Sequence, residues 1–192
     1  MRAAELDPVS FCTRAAPFGP VTVLWSCFRQ KPAIRRILLC RRGTFSARAA
    51  RLQPPDSRPA SCSEINSLLD RIEAFLGGED IRFSLDAVRL DLCSAFQEKV
   101  LRAEHAIPRG RVSTYRLIAR RLGDANAARA VGTALATNPF PIVIPCHRAV
   151  RSDGALGDYQ GGLKMKRALL QMEGIAFRDR DHVATRDFFY SA

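Results

Sequence analysis

Residues 138–162 read Asn-Pro-Phe-Pro-Ile-Val-Ile-Pro-Cys-His-Arg-Ala-Val-Arg-Ser-Asp-Gly-Ala-Leu-Gly-Asp-Tyr-Gln-Gly-Gly and leave the backbone few conformations. Pro145 fixes its own φ and biases Ile144 towards extended geometry. Ile142, Val143 and Ile144 are apolar and β-branched, so a strand-like run is expected to end at Cys146. A glycine-rich loop with one tyrosine, Tyr159, follows. Cys146 therefore sits on stiff backbone, directly before a histidine and an arginine. A thiol attacks as its thiolate, and a neighbouring base or cation is the usual means of forming one. A buried structural cysteine is the commoner fate of an isolated thiol. A Cys-His pair alone does little to separate the two readings.

At 192 residues the chain can build one ordinary core or two small domains. No uninterrupted apolar run approaches the roughly 20 residues needed to span a bilayer. The opening Met-Arg-Ala-Ala-Glu-Leu-Asp lacks the apolar segment and cleavage site of a signal peptide. An intracellular location without membrane attachment is expected. The net charge of +11, mostly arginine in origin, suits a polyanion whose condensed counterions are released on binding. Genome bias towards arginine is the plainer account of the scattered arginines in the N-terminal half.

Cys12, Cys27, Cys40, Cys62 and Cys93 form no Cys-x-x-Cys pair, and the spacing suggests no disulfide framework. The histidines are His105, His147 and His182, so no histidine precedes residue 105. No metal site and no cofactor are expected.

Val21–Trp25 and Ile34–Cys40 read as strands bounded by glycine or proline. Residues 52–60 are turn and linker chemistry. Ser61 with Glu64 fits a capping box, after which Ile65, Leu68, Leu69, Ile72 and Phe75 recur at helical spacing until Gly77-Gly78. Residues 81–92 alternate as another strand would. Ser94 with Gln97 is a second capping box, opening a helix with Phe96, Val100 and Leu101 on one side and ending near Ile107-Pro108. Composition changes here, which divides the chain into an α/β scaffold domain (1–92), a mainly helical C-terminal domain (93–178) and a tail (179–192).

Tyr115, Ile118, Ala119 and Leu122 keep helical spacing, Gly123-Asp124 interrupts it, and Ala127 to Ala136 resumes it with Val131, Ala134 and Leu135 inward. Two short helices around a glycine-containing turn read as a helix-turn-helix, or as a plain packing motif of the same shape. Ala127, Ala128, Gly132 and Thr133 leave one side of the second helix almost free of bulk, with Arg129 projecting near its start. Such a face lets backbone approach DNA, and an arginine there can fill the gap left by an extruded base. A surface ion pair between Arg129 and Asp124 is the plainer alternative.

The block Asn-Pro-x-Pro-Ile-x-Ile-Pro-Cys-His-Arg, with Ala-Ala-Arg-Ala-Val-Gly at 127–132, resembles the signature of the O6-alkylguanine-DNA alkyltransferases, or methylated-DNA–protein-cysteine methyltransferases. The resemblance runs from about Phe96 to Gly174 and is much looser towards the amino terminus. It implies an α/β N-terminal domain plus a helical C-terminal domain carrying a helix-turn-helix and a cysteine loop. It implies a DNA repair protein that flips O6-alkylated guanine from duplex DNA and moves the alkyl group irreversibly onto Cys146. By the same resemblance His147 is base or relay, Glu173 orients it, and Asn138 bridges the second helix to the cysteine loop. Tyr115 would hydrogen-bond the flipped guanine and supply a proton, Tyr159, Pro141 and Gly157 would form the pocket, and Lys166 would steady the loop. Arg129 would be the intercalating finger on a helix face of Ala128, Gly132 and Thr133. Some relatives carry a structural zinc with N-terminal histidine ligands, and nothing here supports carrying it over.

Two of these assignments have plainer readings: Tyr115 as a core aromatic, and Glu173 as a helix C-terminal surface residue, although the helix dipole disfavours a carboxylate there and so favours a special role. Ala149, where relatives usually carry valine, is expected to open the pocket, and Asp158 to repel phosphate or raise the thiol pKa. The partner expected is double-stranded DNA containing O6-alkylguanine, met by a monomer. The alternatives are a non-catalytic binder of alkylated DNA, against which Cys146 argues, and a cysteine-sensing transcription regulator, for which no effector or dimer surface is legible.

Overall fold

In the computed structural model, which describes residues 8–40 and 54–191, Val21, Val23 and Trp25 turn one face of β2 (Val21–Phe28) onto the main core. Leu24 packs on the other face with Leu38, Val9 and Phe11. β2 forms a hairpin with β3 (Lys31–Leu39) through Arg29 and Gln30, both at positive φ (51° and 64°). Two such central residues make a type I′ turn, whose twist matches that of the strands. β1 (Ser10–Arg14) adds antiparallel to β2, and short β4 (Arg58–Pro59) pairs parallel with β1, giving the order β3-β2-β1-β4. The stretch Met1–Asp7 and part of the turn-rich segment at 52–60 lie outside the described residues.

Helix α1 (Ser63–Leu76) buries Ile65, Leu69, Ile72 and Phe75 and stops at Gly77, with Gly78 at φ 106°. The expected capping box at Ser61 does not form. The helix starts later, Cys62 is the N-cap without a side-chain bond, and Glu64 instead accepts from the Ser63 hydroxyl (2.9 Å). Residues 81–92 are likewise not a strand. Ser84 and Asp86 close a local turn, a single bridge joins Val88 to Ile34, and Leu90–Leu92 coil into a 3₁₀ turn. Side-chain bonding to nearby backbone competes with the ladder here.

Ser94 caps α2 (Ala95–His105) by accepting from Gln97 N–H (3.2 Å). The reciprocal half of that box is absent, because the Gln97 amide donates to Ala134 O (3.1 Å) and Thr137 Oγ1 (3.0 Å) at the end of α4. Val100 and Leu101 face the core as expected, whereas Phe96 is exposed. Thr114 caps α3 (Tyr115–Arg121), a 3₁₀ turn at Ala125–Ala127 is capped by Asp124, and α4 (Ala128–Ala136) buries Val131, Ala134 and Leu135. β5 (Ser113–Thr114) and β6 (Ala149–Val150) pair parallel and tie the start of α3 to the segment after Cys146. α5 (Leu163–Met172) completes the fold.

The sheet and the helical part share one contiguous core. Ile37 N–H of β3 donates to Pro139 O (2.7 Å), and Arg109 donates to Gly78 O and Met172 O (2.9 Å each). The C-terminal segment read as a tail packs on the helical part: Phe189 N–H donates to Val112 O and Tyr190 Oη to Ala103 O. No described helix is long and apolar enough to cross a membrane.

Candidate active site

The segment before Cys146 is a tight turn, not the strand its β-branched residues suggest. Asn138 builds it from inside, accepting from Phe140 N–H (2.9 Å) and donating from Nδ2 to Ile144 O (3.0 Å). Ile144 N–H donates to Phe140 O (2.8 Å), and Ile142 is held at φ 74°, an uncommon conformation for a β-branched residue. Prolines at 139, 141 and 145 remove the donors that a ladder would need. Cys146 opens a 3₁₀ turn (Cys146–Arg148) and is 7% exposed.

Cys146 lies against a cleft of about 1090 Å³ that is also lined by Tyr115, Gly157, Asp158 and Tyr159, and by the α4 residues Ala128, Arg129, Gly132 and Thr133. Arg36, Arg116 and Arg151 line it too and give it a positive rim. Arg129 is exposed and forms no ion pair with Asp124 among the described residues. Gly157, at φ 64°, meets the Tyr115 hydroxyl so closely that a Cβ there would lie 2.7 Å from it. Pro141 does not line the cleft; it is buried in the turn behind the cysteine. Ala149 does not open it either, being fully buried in β6 with its carbonyl accepting from Lys166 Nζ (2.7 Å). The same ammonium donates to Leu156 O, so Lys166 ties the strand after Cys146 to the loop carrying Gly157 and Tyr159.

Behind the thiol, His147 is fully buried and donates from Nε2 to Glu173 Oε1 (2.9 Å). Arg148 donates to both Glu173 oxygens, from Nε and Nη2 (2.8 Å each), and from Nη1 to Ile107 O (2.6 Å). Burial would raise the Glu173 carboxyl, but His147 and Arg148 outweigh it and hold it at about 2. Glu173 is therefore ionised. Burial lowers His147 despite that carboxylate, so the imidazole is neutral. With Nε2–H committed to Glu173, the lone pair is on Nδ1, which has no partner among the described residues. Burial also pushes the Cys146 thiol up to about 12, with hydrogen bonding by Asn138 acting the other way. Cys146 and His147, adjacent in one 3₁₀ turn, are thus a buried neutral thiol and a buried neutral imidazole with a free lone pair, the residue types of a nucleophile and its base.

The family model for "6-O-methylguanine DNA methyltransferase, DNA binding domain" matches residues 95–175. A methylated-DNA–protein-cysteine methyltransferase of Methanothermobacter thermautotrophicus is 46% identical over 121 residues, 63% of this chain and 66% of that protein. Its counterpart in Mycobacterium leprae is 42% identical over 106 residues, 55% of this chain and 62% of that protein. The chain thus spans somewhat less than two thirds of these curated relatives. Among solved structures, Mycobacterium tuberculosis OGT in complex with DNA superposes with a TM-score of 0.70 at 30% identity, covering 86% of this chain and 93% of that one. The chain belongs to the O6-methylguanine-DNA methyltransferase family.

Two features of this alkyltransferase-family site escaped the sequence. Arg148 was visible only as the letter after Cys-His, although its fork fixes the carboxylate that His147 uses. Glu104 of α2 is a carboxylate that acts on Cys146, whereas the exposed Asp158 acts on Tyr115 and Lys166. Among the described residues no group of three or more His, Cys, Asp or Glu side chains could hold a metal ion.

Proposed function

We propose that this protein repairs O6-alkylguanine in double-stranded DNA by moving the alkyl group onto Cys146, one chain and one turnover per lesion, as a monomer without a cofactor. The observation that carries the reading is the shared cleft: Cys146 lies on the same concave surface as Arg129 and the small-residue face of α4. A duplex laid on that face brings its bases within reach of the thiol once one is extruded. Arg129 would occupy the vacated stack, while Ala128, Gly132 and Thr133 let the backbone approach. On this reading residues 93–178 carry the DNA-binding alkyltransferase and residues 1–92 buttress it.

The chemistry follows from the groups in hand. His147 Nδ1 takes the thiol proton, and the resulting imidazolium is stabilised by Glu173, which Arg148 keeps ionised. Cys146 Sγ forms a bond to the alkyl carbon as the bond from that carbon to guanine O6 breaks. The departing guanine anion takes a proton from Tyr115, whose hydroxyl burial keeps fully protonated. Desolvation in the resting pocket holds the thiol neutral, so it ionises only as the base accepts its proton. The product is a thioether, which thiol exchange cannot reverse, and the protein is spent.

Incubation with O6-methylguanine duplex is expected to add one methyl mass per chain, on the peptide containing Cys146. Methylation on Cys93 or Cys40 instead, or repair by Cys146→Ser, overturns the assignment.

A further inference from the structure

Along α2 the buried stripe runs Val100, Leu101, Glu104, so a carboxylate occupies a place that helical spacing reserves for an apolar side chain. Glu104 is 0% exposed, and neither carboxylate oxygen has a hydrogen-bond partner among the described residues. A buried polar group left in this way is costly unless it stays uncharged or faces compensating charge. Glu104 does face charge. Its helix α2 packs against the cysteine turn, and Glu104 feels the charges of Lys166 on α5 and Arg148 in that turn while its own charge acts on Cys146. Tyr115 of α3 and Tyr190 of the C-terminal segment also feel its charge, and the buried His147, kept neutral by burial, sits in the same cysteine turn. No ion pair joins Glu104 to Lys166 or Arg148 among the described residues, and the Lys166 ammonium is spent on two backbone carbonyls. The acid therefore lies on a helix packed against the cysteine turn without being locked to a cation.

We propose that Glu104 is a positioning residue for alkyl transfer: as a neutral acid it leaves the positive charge of Lys166 to act on Cys146 Sγ, and as a carboxylate it offsets that charge and opposes the thiolate. Burial pushes the Glu104 carboxyl up to about 8, against the pull of Lys166 and Arg148, so near neutrality the acid is uncharged. Its ionisation raises both the Cys146 thiol and the Tyr115 hydroxyl, the two groups that must give up protons in the reaction. Alkaline solution thus acts in two opposed ways on this site. It favours every thiolate directly, and through Glu104 it disfavours this one. Lys166, lowered to about 8 by burial, loses charge over the same range and flattens the profile further.

The inference rests on the alkyl-transfer reading for its meaning, so its test begins with a probe that does not. Iodoacetamide reacts with thiolates, and its rate at Cys146 is read from the mass of that peptide at a series of pH values. Glu104→Gln keeps shape and burial while removing the ionisation. The two proteins are expected to react alike near neutral pH and to separate above about 8, with the variant roughly fivefold faster at the alkaline end, a little under one pKa unit at the thiol. Single-turnover consumption of free O6-benzylguanine should separate in the same sense. Superimposable iodoacetamide profiles from two folded proteins overturn the role of Glu104. Separated iodoacetamide profiles without benzylguanine consumption at any pH leave that role intact and overturn the alkyl-transfer reading. Should Glu104→Gln fail to fold, carbon-13 NMR titration of glutamate carboxyls in the unaltered protein decides instead. One carboxyl titrating near 8 is expected. The absence of any glutamate carboxyl titrating above the ordinary carboxylate range overturns the proposal.

Discussion

Arg148 grips Glu173 through both carboxylate oxygens at 2.8 Å, and His147 has to share that carboxylate with it. The fork makes the carboxylate a fixed anion, and it also limits how far Glu173 can raise the imidazole. The outcome is a neutral, oriented base instead of a standing imidazolium.

Replacing Glu173 by Gln should expose that arrangement in stability. Its folded-state value, about 2, lies below the ordinary 4.5, so its contribution is present above about 4.5 and lost as pH falls towards 2. Near neutral pH Glu173→Gln should cost about 3–5 kcal/mol, because Arg148 is left buried without its partner. The gap between wild type and variant in urea unfolding should narrow as pH drops through that window. A gap constant with pH would mean that Glu173 is not ionised in the fold. At neutral pH a folded Glu173→Gln protein should also alkylate more slowly while binding duplex DNA normally.

Arg148→Lys preserves charge and loses the fork, since an ammonium cannot span two oxygens in one plane. With Glu173 less committed, its charge should act more strongly on His147 and raise the imidazole value. The acid limb of the benzylguanine rate–pH profile should then move to higher pH, because protonated His147 is no longer a base. An unmoved limb would assign the fork a purely structural role.

Cys146 and His147 were legible as a nucleophile beside a base on stiff backbone, whereas Glu173, 26 residues further on, was legible only through the family resemblance and by itself reads as a surface residue at a helix end. The helix-turn-helix was legible from Ile118, Ala119, Val131 and Leu135, whose spacing the structure buries. Arg148 was not, because one arginine among so many carries no signal until its fork is seen. Glu104 could have been suspected from its place on the Val100–Leu101 stripe, but nothing local says which charges it meets. The turn at Ile142 was misread because β-branched residues favour strands, whereas here the Asn138 side chain and the surrounding prolines override that preference. β1 has no clear alternation of its own and exists because β2 offers it an edge.

Gly157→Ala tests how tightly the cleft is drawn around Tyr115. The new Cβ would lie 2.7 Å from the tyrosine hydroxyl, on backbone at φ 64°, so both the loop and the ring must shift. The backbone conformation alone should cost about 1 kcal/mol. A displaced loop narrows the space beside Cys146, so transfer of benzyl should fall more than transfer of methyl. The ratio of the two single-turnover rates reads this directly. Equal losses for both substrates would place the effect in the tyrosine's proton, not in the pocket's width.

Arg129→Ala separates extrusion from chemistry. Arg129 is exposed on a helix face without bulk and lines the cleft that Cys146 shares, yet it takes no part in the His147–Glu173–Arg148 cluster. If its work is to hold a base out of the stack, its loss costs only when a stacked base has to be moved. Unstacking costs a few kcal/mol, so repair of methylated duplex should slow by roughly one to two orders of magnitude. Free O6-benzylguanine, already unstacked, should react within about twofold of wild type at any pH, since removing an exposed cation rarely shifts a site by more than a few tenths of a kcal/mol. A single-stranded substrate should fall between the two, having a backbone to bind and no partner strand to leave. Equal losses on duplex and free base would mean that Arg129 supports the fold or the pocket, and the small-residue face of α4 would need another explanation.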